Sequence, residues 1–86
     1  MARISVYYWA GAKAAAGVEL DSFDTDSVAE ALELARRARN DPRFDRVLSI
    51  SSVLVDGSVV RGADLEQQVA GDVRVEILPP FAGGGG

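Results

Sequence analysis

The chain has 86 residues, 48% of them hydrophobic and 26% charged, enough for one domain and too few for two. Its net charge of −4 disfavours nucleic-acid binding, which needs a basic footprint, and suits docking onto a basic partner surface. With no cysteine and no histidine it lacks disulfides, the usual zinc sites, Cys and His nucleophiles and the commonest general base, which fits a reducing, cytoplasmic setting.

Arg3 to Trp9 alternates as a strand does. Ile4, Val6 and Tyr8 point to a core, while Arg3, Ser5, Tyr7 and Trp9 point away. Tyr7 and Trp9 are candidates for an exposed contact surface, with ordinary packing an equal reading. The opening MARISVYYWAGAKAAAG has a superficial likeness to a signal peptide. Ser5, Tyr7 and Tyr8 interrupt its apolar run, and Lys13 falls where small residues should follow, so the strand reading is preferred. No run approaches the ~18 apolar residues of a membrane-spanning helix. Ala10 to Gly17 reads as a small-residue turn, and Val18 to Phe23 as a second strand forming an antiparallel hairpin with the first.

Ser27 and Glu30 have the spacing of a capping box, in which each side chain satisfies a free N–H of the first helical turn. The helix that follows is predicted to bury Val28, Ala31, Leu32, Ala35 and Ala38. Arg36, Arg37 and Arg39 suit the negative end of its dipole and read, with Arg43 and Arg46, as a solvated helix end. Asp24 and Asp26 suit the helix start rather than a catalytic pair, and Asn40-Asp41-Pro42 stops the helix.

Phe44 to Leu48 reads as a short turn or 3₁₀ segment, and Ser49 to Val55 as a strand. Asp56-Gly57 is a hairpin signal, with Val59-Val60 starting the return strand. Ala63 to Val69 should form a short helical turn that lays Leu65 on the core, with Asp64 and Glu66 as surface charges. Gly71-Asp72 turns the chain into a last strand, Val73 to Leu78, with Val73, Val75 and Ile77 on one face. The expected fold class is α+β: a mixed sheet of about five strands, one main helix on one face, and the last strand beside the first. That is the β-grasp, or ubiquitin-like, arrangement. The expected division is a body of residues 1–80 and a Gly-rich tail of residues 81–86.

The strand-strand-helix-strand-strand order, the Ser27-Val28-x-Glu30 helix start, the Asp56-Gly57 hairpin, the Gly71-Asp72 turn and the ending LPPFAGG resemble the ubiquitin-like sulfur carriers of the MoaD/ThiS type. The likeness spans essentially the whole chain and is closest to the small subunit of molybdopterin synthase. It implies a protein that is not an enzyme by itself and binds no cofactor. An activating enzyme similar to ubiquitin E1, a MoeB-like adenylyltransferase using ATP and magnesium, would adenylate the C-terminal glycine. A sulfur donor protein would convert the adenylate to a thiocarboxylate. The tail would then enter a MoaE-like large synthase subunit and give sulfur to a pterin precursor, forming the molybdopterin dithiolene.

Carried over by position, the resemblance makes the carboxylate of Gly86 the reactive group, with Gly85 beside it and Gly83 and Gly84 as the thin arm. It places Trp9, Val59, Leu78 and Phe81 at apolar contacts to partners, and Lys13 where relatives commonly carry an Arg. For Phe81, folding back onto the sheet is an equal reading. Glycine suits the arm, because a narrow channel can close around a backbone without Cβ. Pro79 and Pro80 stiffen the exit. The family typically ends in two glycines, whereas four stand here. Partner pockets that accommodate the surplus, trimming to Gly84, and glycines added during cloning are the three readings of it; Gly86 is preferred. Carriers serving thiamine, cysteine or tRNA thiolation, and ubiquitin-like protein modifiers, share the same kind of tail.

Overall fold

The computed structural model describes residues 1–80. In chain order it contains β1 (Ala2–Tyr8), α1 (Ala10–Ala16), β2 (Leu20–Thr25), α2 (Val28–Arg39), α3 (Pro42–Ile50), β3 (Ser52–Val55), β4 (Ser58–Val59), a 3₁₀ turn (Gly62–Glu66) and β5 (Gly71–Leu78). The five strands form one mixed sheet in the order β2-β1-β5-β3-β4. β1 and β5 run parallel at its centre, and the other pairings are antiparallel. The expected neighbourhood of first and last strands is therefore present.

Strand alternation divides the sheet into two faces. Ile4, Val6 and Tyr8 of β1 and Val73, Val75 and Ile77 of β5 are buried under the helices with Val28, Ala31, Leu32 and Ala35 of α2. Each such large side chain contributes about 1.5–3 kcal/mol by leaving water. Ser27 caps α2 as its spacing predicts: its hydroxyl accepts from the Glu30 N–H at 3.1 Å. The Asp56-Gly57 turn has positive φ at both residues, +48° and +89°, the two-residue geometry that matches strand twist. Leu65 packs partly buried against the core from the 3₁₀ turn.

Several sequence expectations are corrected. Ala10 to Ala16 is a helix, not a turn, and ends at Gly17, whose φ of +78° lets its N–H donate back to Lys13 O at 2.9 Å. Alanine is the best helix former, so a stretch this small needs no large side chain to coil. Pro42 to Ile50 is a third helix rather than a short turn. Asp41 caps it by accepting from the Arg43 N–H at 2.9 Å, and Pro42 occupies a first-turn position where its missing N–H costs nothing. This helix takes up Ser49 and Ile50, so β3 starts at Ser52. Ala38 is exposed, because α2 buries a narrower stripe. Val18 precedes β2, whose core-facing residues are Asp21, Phe23 and Thr25.

Arg39 departs furthest from expectation. Its side chain is 15% exposed and forms a knot beneath the helices. One guanidinium nitrogen, Nη2, lies 2.8 Å from Asp21 Oδ2; Nε donates to Ala16 O at 3.0 Å and Nη1 to Ala35 O at 3.2 Å. The guanidinium carbon lies 4.7 Å from the Phe44 ring centre and 5.3 Å from that of Tyr8. One cation thereby joins β1, β2 and all three helices.

Tyr8 completes the knot, its hydroxyl donating to Asp21 Oδ2 at 2.8 Å. Burial, with help from Asp21, raises its pKa well above the ordinary phenol value, against the opposing charge of Arg39. The folded state thus keeps the proton to higher pH than the unfolded chain, which releases it near ~10. Stability from this group is complete below about pH 10 and falls as pH rises towards the folded pKa, with a slope of up to ~1.4 kcal/mol per pH unit. Urea unfolding between pH 9 and 11.5, roughly one unit either side of that reference value, should show the slope in the native chain and lose it in Tyr8→Phe.

Candidate docking surface and the root of the tail

The sheet face opposite the helices carries Val59 and Leu78 of the sequence-predicted contact residues. Strand pairing lines up one row across all five strands: Val59, Leu54, Glu76, Tyr7 and Leu20. Paired residues share a face, so this row lies on the open side. Val59 is 53% exposed and Leu20 42%. Leu78 lies beyond the row on β5, opposite Ser52. It stays half-buried where the last strand leaves the sheet.

Trp9 follows β1 directly, and its N–H donates to Ile77 O at 3.2 Å. Its backbone is thereby held beside the end of β5, and the residue remains 45% exposed. Lys13 projects from α1 into a shallow cleft of about 220 Å³ shared with Tyr7, Trp9, Glu19 and Arg74. Its Nζ stands 3.8 Å from Glu19 Oε1. In the same cleft the Arg74 guanidinium lies 4.0 Å from the centre of the Tyr7 ring. Trp9 and Lys13 thus flank β5 on one side. Val59 lies on the other, two strands away, about 10 Å by ordinary strand spacing. Phe81, Gly83, Gly84, Gly85 and Gly86 lie outside the described residues.

Alternation along the last strand places Arg74 and Glu76 with Leu78 on this face, but sequence reasoning did not single them out and missed Leu54 and Leu20 as members of it. The signal for Leu54 was present: a two-residue turn at Asp56-Gly57 pairs Val55 with Ser58, and Leu54 with Val59. Among the described residues no group of three or more His, Cys, Asp or Glu side chains could hold a metal. Among them, too, no helix is long and apolar enough to cross a membrane.

Five strands with β1 and β5 parallel at the centre, and α2 laid across one face, define the β-grasp, or ubiquitin-like, fold. No family model and no curated protein matches the sequence. Solved structures of the same fold do match. The solution structure of small archaeal modifier protein 1 from Methanosarcina acetivorans superposes with a TM-score of 0.78 at 21% identity, covering 95% of this chain and 96% of that one. A putative molybdopterin converting factor subunit 1 from Pyrococcus furiosus superposes at 0.75 with 16% identity, covering 93% and 99%. A protein–protein complex of subunits 1 and 2 of the molybdopterin-converting factor from Helicobacter pylori gives 0.67 at 12% identity, covering 91% and 93%.

Proposed function

We propose that this chain is a sulfur carrier and the small, non-catalytic subunit of a molybdopterin synthase. The observation that carries the reading is the central position of β5. The strand leading to the tail is held on both edges by hydrogen-bonded neighbours, and its last residue, Leu78, stands beside exposed Trp9. A rigid root and an adjacent apolar handle are what a partner needs to draw a thin arm into its own active site. In this reading residues 1–80 are the body and residues 81–86 the arm.

An ionised carboxylate, with a pKa near ~3.5, is a poor electrophile. Adenylation by an E1-like, MoeB-like enzyme with ATP and magnesium gives it a leaving group, and a sulfur donor protein then replaces oxygen with sulfur at Gly86. A MoaE-like large subunit receives the arm, with Trp9, Val59, Leu78 and Phe81 supplying apolar contact and Lys13 a charge. The likeness to the complexed converting-factor subunit supports such a partner. The proposed setting is the cytoplasm, without nucleic acid or membrane.

The chain, incubated with ATP, its cognate activating enzyme and a sulfur donor, should gain the mass difference of one sulfur-for-oxygen exchange in intact-mass spectrometry. No change with the genuine partners would sink the reading. The likeness to small archaeal modifier proteins favours a second reading, a protein modifier joined to lysines. It predicts isopeptide-linked Gly86 remnants on cellular proteins.

A further inference from the structure

Glu76 is the one charged member of the row that crosses the open sheet face. Leu54 and Tyr7 flank it in register, and Val59 and Leu20 lie at the row's ends. Its side chain is 21% exposed, so apolar neighbours already remove much of its water. Among the described residues Arg74 is its one ion-pair partner, with Nη2 at 3.6 Å from Oε2, beyond good hydrogen-bond distance. That guanidinium is engaged instead over the Tyr7 ring at 4.0 Å. Among the described residues no side chain or backbone N–H donates a hydrogen bond to the carboxylate, and Arg74 is its one charged neighbour.

A partner cannot cover Leu54 and Tyr7 without covering what lies between them. Covering Glu76 strips its remaining water, and a buried carboxylate without donors is strongly unfavourable. The occupant of this face must bring a donor of its own. Arginine fits best: its planar fork binds a carboxylate through two hydrogen bonds, and its flat surface stacks on apolar and aromatic neighbours. We infer that Glu76 is a specificity-determining residue of this face, and that the partner presents an arginine to it, set among apolar side chains. The occupant named here is the large synthase subunit, so the inference rests on the function proposed above.

The probe is the purified large synthase subunit of the same organism, titrated calorimetrically with the full chain and with Glu76→Gln and Glu76→Leu. Both variants should weaken binding by about 30-fold or more, because each leaves the partner's arginine buried without its counter-charge, Gln keeping one neutral acceptor and Leu none. The salt dependence of binding should flatten in both. Glu76→Leu is the decisive variant, since it makes the row wholly apolar. Without a cation opposite position 76, that added apolar surface would leave affinity unchanged or tighten it. Such a result, with native binding intact, overturns the inference and leaves the sulfur-carrier reading standing. Failure of the native chain itself to bind the large subunit overturns both.

Discussion

Removing Gly85 and Gly86 is expected to abolish activation of the chain while leaving its thermal unfolding unchanged. Each extended residue spans at most ~3.3–3.6 Å, so the deletion withdraws the carboxylate by roughly 7 Å. Reaction requires the attacking atoms to meet within ~3–3.5 Å, and misplacement by about 1 Å already lowers rates by a factor on the order of 100. No residue of the sheet or helices is touched, since the described fold ends before the tail. The measurement is pyrophosphate release in a single turnover with ATP and the cognate activating enzyme, run beside a thermal melt. Full activity after the deletion would show that the reactive end is not Gly86 and would point to Gly84.

Arg39→Ala should produce the largest loss of stability of any single surface-accessible charge. The substitution removes a cation 2.8 Å from Asp21, two hydrogen bonds to the carbonyls of Ala16 and Ala35, and the contact with the Phe44 ring. It leaves Asp21, 24% exposed, without its cation and exposes two helix carbonyls to a site built around a guanidinium. A fully buried pair broken on one side loses about 3–5 kcal/mol; partial exposure reduces this to roughly 2–3 kcal/mol. For a domain of this size each kcal/mol shifts the melting midpoint by about 4–8 °C. The double variant Arg39→Ala/Asp21→Asn should lose less than the sum of the two single variants, because the unpaired charge is then gone. Additive losses would show that Arg39 acts through packing alone.

The strands were legible because alternation is a local signal. Ile4, Val6 and Tyr8 declare their side of β1 without reference to anything distant, as do Val73, Val75 and Ile77 in β5. The Ser27–Glu30 cap and the Asp56-Gly57 turn are equally local. α1 was missed because it lacks start signals: Trp9 occupies its N-cap with no side-chain hydrogen bond, and no acid stands in its first turn. α3 was readable, since Asp41 followed by Pro42 is a cap and a first-turn residue in sequence. Treating Pro42 only as the stop of α2 hid that second meaning. Arg39 was not readable. Its partners Asp21 and Ala16 lie in the two elements that precede its own helix, and nothing in an arginine at a helix end distinguishes a solvated side chain from a buried clasp.

For the candidate docking face, Trp9 is conspicuous as an aromatic at a strand end, whereas Val59 and Leu78 were named only through the family resemblance. Glu76 falls on the same face by alternation but was not singled out, because its significance depends on Leu54 and Tyr7, which reach it from two other strands. Register across a sheet is a property of pairing, and pairing between β1, β5 and β3 is set by segments far apart in the chain.

The sheet order also bears on how the molecule is made. β1 with β2 and β3 with β4 are antiparallel pairs that emerge early in synthesis, yet no strand hydrogen bond links one pair to the other. Among the described residues β5 alone joins them, and it is translated after every other described element. Until Gly71–Leu78 arrives, β1 and β3 each keep a bare edge, and the long-range pairing that closes the domain cannot begin. A partner that docks on the completed sheet would therefore pass over chains whose last strand has not yet been built.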